Sequence, residues 1–280
     1  MKLKIIALFL FCYLISNSQN SKLTWKISPD ESITWNVQKS QPHSDHIEMS
    51  GFNISAIVTY GVDEKGKLVN RKKLVFPMLR TIPNDTHASL TKSFEGTEQP
   101  GFIVDGTLVE EFPQSFNLKG ILSVKSSTNT GLVISRSIFP SIDKAALVEI
   151  ITLQNPSAKP RNVKIQFTPT SITTPADKGV YGEYSVEVNA KIPDEITLIP
   201  GAEITFGLIY SGRKATEQPY NFSPVYELSK RKKFVDEIFE NLVLVTPNDT
   251  INKAFAFAKI RATESIYDTK GGLMHGPGGG

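Results

Sequence analysis

The proton-transfer groups of this sequence are densest at His43, Asp45, His46 and Glu48, which fall within six residues. Side chains of these types could ligate a metal, contact a bound polar molecule, or tie a loop down through hydrogen bonds. A His-x-x-His spacing without a third strong ligand is a poor zinc pattern, because even catalytic zinc takes three protein ligands. No metal and no other cofactor is assigned. The segment reads as a polar loop that either bonds to a neighbouring strand or reaches towards a substrate, with Asp45, His46 and Glu48 nearest to such a site. Cleavage by acid–base chemistry needs two carboxyl groups on opposite sides of one bond. Glu110, Glu111 and Glu149 are further acids, but nothing in the sequence pairs any two of them. Glu110 and Glu111 are adjacent on a strand and point to opposite faces. No catalytic residue is assigned.

Arg80 and His87 flank Pro83-Asn84-Asp85-Thr86, a turn by composition, where an arginine anchors loop carbonyls or meets a ligand. His275 lies in a glycine-rich run that begins at Gly271. That run follows a helical pattern and has no Lys-Ser/Thr after it, which excludes a phosphate-cradling loop. Trp25, Trp35, Tyr181, Tyr184 and Tyr220 could stack on sugar rings. Trp35 sits on an apolar alternating face and is read as core; the tyrosines depend on which face is exposed.

Such groups need a scaffold, and from Leu23 to about Tyr210 the pattern has a period of two. Ile54, Ala56, Val58 and Tyr60 alternate with other residues, as do Leu132, Ile134 and Ile138, and Leu147, Ile151 and Leu153. Residues two apart share one face of a strand, so each run has an apolar face to bury. Asp63-Glu64-Lys65-Gly66, Asn155-Pro156-Ser157 and Ile199-Pro200-Gly201 break the runs. About ten to twelve strands with no helices between them predict a mainly β fold, a large antiparallel β-sandwich. After a linker the period changes. Ser223-Pro224 caps a helix carrying Leu228, Phe234, Val235, Ile238, Phe239 and Leu242 on one stripe, with Lys230 to Lys233 mostly on a solvated face. An extended piece, Leu242 to Val245, follows. A second helix starts with Thr246 as N-cap and Pro247 in its first turn and ends near Lys270-Gly271-Gly272. Its apolar face is too wide for the sandwich alone to cover, which points to further helices beyond this sequence.

The N-terminus has a basic start, an apolar run from Ile5 to Ile15 and small or polar residues after it, the pattern of an export signal. The run is too short to span a bilayer, which takes about 20 residues. The one cysteine, Cys12, lies inside it, so neither disulfides nor thiolate sites are expected in the exported chain. A net charge of +3 from 31 basic and 28 acidic residues gives no basis for nucleic-acid binding. The expected organisation is a signal peptide over 1–18, a sandwich over 19–212, a helical linker over 213–245 and the start of a helical domain over 246–280. Oligomeric state is not legible.

Several segments together resemble the six-hairpin glycosidases, enzymes with an N-terminal sandwich and an (α/α)6-barrel catalytic domain. They are Asn241-Leu242-Val243-Leu244-Val245-Thr246-Pro247-Asn248-Asp249, then Ala254-Phe255-Ala256-Phe257-Ala258-Lys259, Glu264-Ser265-Ile266, and Gly271-Gly272-Leu273-Met274-His275-Gly276-Pro277-Gly278-Gly279-Gly280. Upstream, Pro42 to Gly51 and Phe76 to Asn84 also resemble segments of bacterial members. The resemblance implies a supersandwich-like β domain followed by the first helix of a barrel. It implies a parent glycoside hydrolase acting on oligo- or polysaccharide and no turnover by this chain itself, while the export pattern leads to an exported, periplasmic or extracellular chain. Carbohydrate would be met through the barrel, and Arg80 and His275, with Asp45, His46 and Glu48, would lie nearest the substrate. The competing expectation is a free-standing secreted carbohydrate-binding or adhesion sandwich.

Overall fold

The computed structural model describes residues 24–38, 41–82 and 88–276. In chain order the first strands are β1 (Lys26–Ile27), β2 (Ile33–Asn36), β3 (His43–Gly51), β4 (Ile54–Val62), β5 (Leu68–Thr81) and β6 (Ala88–Phe94). Next come β7 (Gly101–Val104), β8 (Thr107–Leu108), β9 (Glu111–Leu118), β10 (Leu122–Thr128), β11 (Val133–Pro140) and β12 (Ala146–Gln154). The β region closes with β13 (Arg161–Gln166), β14 (Thr170–Thr174), β15 (Tyr184–Ala190), β16 (Glu195–Leu198) and β17 (Glu203–Lys214). Helices α1 (Pro224–Glu240) and α2 (Asp249–Thr263) follow, and β18 (Ile266–Thr269) and β19 (Gly272–His275) form a last hairpin.

The expected mainly β antiparallel sandwich is the observed fold. A nine-stranded sheet in the order β1-β2-β9-β10-β11-β12-β17-β15-β14 makes one layer. Two four-stranded sheets, β3-β4-β5-β6 and β16-β13-β7-β8, lie against it. The alternation legible in the sequence is the inward face: Ile54, Ala56, Val58 and Tyr60 are all buried, and Trp35 stacks on Phe116 with ring centroids 4.7 Å apart. Across the layers Phe102 of β7 meets Phe206 of β17 at 6.1 Å. Each such large side chain contributes about 1.5–3 kcal/mol by leaving water.

Strand β17 continues to Lys214, past the predicted linker start. Helix α1 begins as predicted, with Ser223 accepting from the Tyr226 amide and Pro224 in the first turn. It packs on the outer face of the nine-stranded sheet, over Phe139, Val148 and Ile150. Gly120, in the turn between β9 and β10, has φ +65°, and a Cβ there would stand 2.5 Å from Val235. Only glycine allows that turn to meet the helix so closely.

Three expectations about the C-terminal part are corrected. Leu242 does not belong to the extended piece expected over Leu242 to Val245, its φ being +54°, and Leu242, Val243 and Val245 are strongly exposed. The N-cap of α2 is Asn248, whose Oδ1 accepts from Thr250 at 3.0 Å and Ile251 at 3.3 Å, while Thr246 Oγ1 receives the Asn248 amide. The helix ends at Thr263 rather than near Gly272. Ile266-Tyr267-Asp268-Thr269 turns through Lys270-Gly271 into β19, since β-branched and aromatic residues beside glycines favour a hairpin over another helical turn.

Candidate functional site at the junction of sandwich and helices

The His43–Glu48 cluster is not a loop but part of β3, paired with β4 in the register Asp45↔Tyr60 and Glu48↔Ile57. Its alternating polar residues belong to one strand of a hairpin, and the preceding Pro42 disguised the strand start. His43 and His46 are three apart and so point to opposite faces, which breaks up the two-histidine metal geometry. The His43 ring packs edge-on to Trp35 at 5.1 Å, and Asp45 Oδ1 accepts from the His46 amide at 2.8 Å. Among the described residues no group of three or more His, Cys, Asp or Glu is arranged to hold a metal.

Glu48 does reach the helices. Its Oε1 accepts from Ser55 Oγ at 2.6 Å, its carbonyl accepts from Arg261 Nη1, and its Oε2 lies 3.7 Å from Arg261 Nη2. Arg80 is elsewhere: it donates to Ser89 Oγ at 3.1 Å, and its carbonyl accepts from Tyr184 OH at 2.7 Å and the Val180 amide at 2.9 Å. His275 is exposed on β19, with Nδ1 2.8 Å from Ser265 Oγ. The turn Pro83–Thr86, His87, and the last four residues of the glycine run lie outside the described residues, as does the expected signal over 1–18.

Around Glu48 the structure builds a buried junction. Arg231 of α1, wholly buried, donates from Nε to the Gly120 carbonyl at 2.9 Å, from Nη1 to the Ser50 carbonyl at 3.0 Å, and from Nη2 to Glu264. Arg261 holds the other Glu264 oxygen at 2.8 Å. Burial raises the Glu264 carboxyl above its usual value, and the two arginines only partly oppose it. The expectation that Lys230 to Lys233 form a solvated face is thereby corrected at Arg231. The buried stripe of α1 is Glu227, Arg231 and Val235. Glu227 accepts from Ser141 Oγ at 2.6 Å and Lys144 Nζ at 2.8 Å. Asp143 takes Lys230 and Lys144; burial would raise its carboxyl, but these two ammonium groups bring it down to about 2. Between the helices, Phe239 meets Phe257 at 6.1 Å, and Lys259 donates to the Phe239 and Asn241 carbonyls that end α1.

A second buried polar centre lies inside the sandwich. Glu149 is fully buried and receives Lys72 at 2.9 Å, Arg136 at 2.7 Å, Asn70 at 3.0 Å and Gln99 at 3.0 Å. Arg136 also forks onto Glu111. Burial alone would raise the Glu149 carboxyl, but the Lys72 and Arg136 charges win and hold it at about 2. Sequence reasoning missed this centre, although a signal was present. Lys72, Arg136 and Glu149 occupy positions in apolar registers, between or beside Leu74, Ile134, Ile138, Leu147 and Ile151. With its acids bound to cations, the cluster is suited to fixing the two layers to each other rather than to moving protons.

Among the tyrosines, Tyr184 is fully buried and Tyr181 is 39% exposed. Tyr181 and Tyr220 line a cavity of about 350 Å³ that also touches Asn53, Lys214 and Lys270. Trp35 is core, as read from its alternation.

No protein-family model matches the chain, and no curated protein matches it. Solved structures do. One of them is named "Putative kojibiose phosphorylase from human microbiome"; it covers 88% of this chain with a TM-score of 0.53 at 10% sequence identity. The chain spans 43% of that structure's length. At this identity the likeness is one of fold, and the mainly β architecture described above is what the two chains share.

Proposed function

We propose that this chain is the N-terminal, non-catalytic portion of an exported carbohydrate-active enzyme of the six-hairpin type, and that its sandwich and first helices support a helical barrel that follows residue 280. The observation that carries this reading is where the exposed apolar surface lies. Of the 14 large hydrophobic residues exposed among the described residues, nine fall between Val225 and Met274. They include Leu242, Val243, Val245, Ile251, Leu273 and Met274, while Ala254 and Ala258 extend the exposed face of α2. Exposed apolar side chains gathered in one part of a chain are the kind of surface that an interface covers. The buried junction at Arg231 supports the same reading, because it fixes the base of the helices rigidly to the sandwich and presents their other face outward. The likeness to a solved structure named as a phosphorylase, of which the chain spans less than half, agrees with a sandwich placed ahead of a larger partner domain.

In this reading glycosidic-bond chemistry, by hydrolysis or by another acceptor, belongs to the barrel, and carbohydrate is the partner. Export rests on residues 1–18. The test is the coding sequence downstream of Gly280. A frame continuing for roughly 350 to 450 residues of paired helices is the size expected of such a barrel, and the longer protein should cleave an oligosaccharide. A stop codon at once, with the chain stable and monomeric, favours the free-standing carbohydrate-binding sandwich, the reading to which the open groove beside Tyr181 lends weight.

A further inference from the structure

The groove beside Tyr181 is assembled from three separate parts of the fold. Tyr181 stands in the loop between β14 and β15, Lys214 ends β17, and Lys270 is at the tip of the β18–β19 hairpin. The Tyr181 loop is held in place from below: its amide donates to the buried Tyr184 hydroxyl at 3.0 Å, and that hydroxyl donates in turn to the Arg80 carbonyl. The floor is close-packed, since Phe76 lies directly under Gly212, where a Cβ would come within 2.6 Å of the ring. A loop backbone so fixed loses little freedom on meeting a ligand.

The charge at the rim is net positive, since Arg213, Lys214 and Lys270 line it with one carboxylate, Glu217. Lys270 Nζ lies 4.4 Å from the Tyr181 ring centroid and Lys214 Nζ 5.7 Å. Among the described residues Lys270 is in no ion pair, and Lys214 has only Glu217, at 3.7 Å. The third cation, Arg213, is already taken by Glu187 at 2.6 Å. Two ammonium groups thus border a half-exposed tyrosine over a cavity of about 350 Å³, at the lower end of the roughly 300–1,000 Å³ of small-molecule sites.

We propose that this groove binds an anionic saccharide, one or two sugar units bearing a carboxylate or a sulfate. The apolar face of the sugar would lie on Tyr220 and against the edge of Tyr181, and its acid group would meet Lys270 and Lys214, which Tyr181 holds over its ring. This rests on the carbohydrate reading above but assigns a site of its own, where the sandwich meets the terminal hairpin. Because the ligand would touch both β17 and the terminal hairpin, its binding would also tie the hairpin to the sandwich.

The test is calorimetric titration of the full chain with digalacturonate, with a sulfated disaccharide of similar size and with neutral cellobiose. Binding of at least one acidic disaccharide, about tenfold or more tighter than cellobiose and weakening with salt, is expected. Which of the two binds identifies the acid group. Tyr181→Ala should weaken it about tenfold and Lys270→Ala about fivefold, while Tyr181→Phe and the control Lys233→Ala leave it unchanged. Equal affinity for cellobiose, no binding of any of the three, or binding indifferent to both alanine variants overturns the site. Failure here is distinguishable from failure of the proposed function: if the longer protein cleaves an oligosaccharide equally well with Tyr181→Ala, the enzyme reading stands whatever the titration gives.

Discussion

Replacing Arg231 by methionine should loosen the helices from the sandwich before the sandwich itself unfolds. The guanidinium is fully buried and makes three contacts, to the Gly120 carbonyl, the Ser50 carbonyl and Glu264. Removing one partner of a buried ion pair costs about 3–5 kcal/mol, and each orphaned carbonyl adds about 1 kcal/mol. Two effects offset part of that: methionine fills much of the space, and Arg261 still faces Glu264 at 2.8 Å. The net expectation is a loss of about 3–5 kcal/mol. It should be read by urea unfolding together with hydrogen exchange, in which amides of α1 and α2 lose protection well before those of β12. The double variant Arg231→Met with Glu264→Leu should regain part of the loss, because no uncompensated carboxylate then remains inside. A single variant within about 1 kcal/mol of the parent, or protection lost equally from β12 and the helices, would refute the reasoning.

Acid should weaken the sandwich through Glu149. Its folded-state carboxyl is held at about 2, below the ordinary 4.5, so the stabilisation is complete above about pH 4.5 and is lost as pH falls towards 2. Melting temperatures measured from pH 7 to pH 2 should fall through that window, and the fall should be shallower in Glu149→Gln, which starts from a less stable state. Lys72→Met should cost about 3–5 kcal/mol in a urea melt, and adding Glu149→Leu should not deepen the loss; an additive loss would contradict a shared network. Gly120→Ala should destabilise by about 1–3 kcal/mol, from a left-handed backbone and a clash with Val235, and pairing it with Val235→Ala should recover some of that in the same melt.

Local patterns were legible in the sequence and distant pairings were not. The alternation of Ile54, Ala56, Val58 and Tyr60, the turn at Asp63–Gly66 and the Ser223-Pro224 cap are each decided by neighbours a few residues away, and each is found in the structure. Arg231 is different: its partners Ser50, Gly120 and Glu264 lie far from it along the chain, so in a basic run it looks like a solvated residue. Glu149 shows the middle case. Its position in the Leu147–Ile151 register marks it as inward-facing, but only the fold brings Lys72 to it. At the C-terminus the glycines after Thr269 fit a helix end and a hairpin turn alike, and the pairing of Tyr267 with Met274 and Thr269 with Gly272 across the turn decides for the hairpin. Of the residues expected near a substrate, the structure brings Glu48 to the helices, places Asp45 and His46 along the same strand, and sets Arg80 beneath the Tyr181 loop.

The outer face of α2 is where the proposal is most exposed to test. Ala254 and Ala258 are exposed in this chain, so the double variant Ala254→Glu, Ala258→Glu should leave its melting temperature nearly unchanged, surface changes being worth about 0.5 kcal/mol or less. In a longer protein with a helical barrel the same two charges would be driven into an interface, and the melting temperature and sugar-cleaving activity should both fall sharply. An equal, small effect in both lengths would mean that nothing covers this face, and the reading of the chain as the front of a larger enzyme would be wrong.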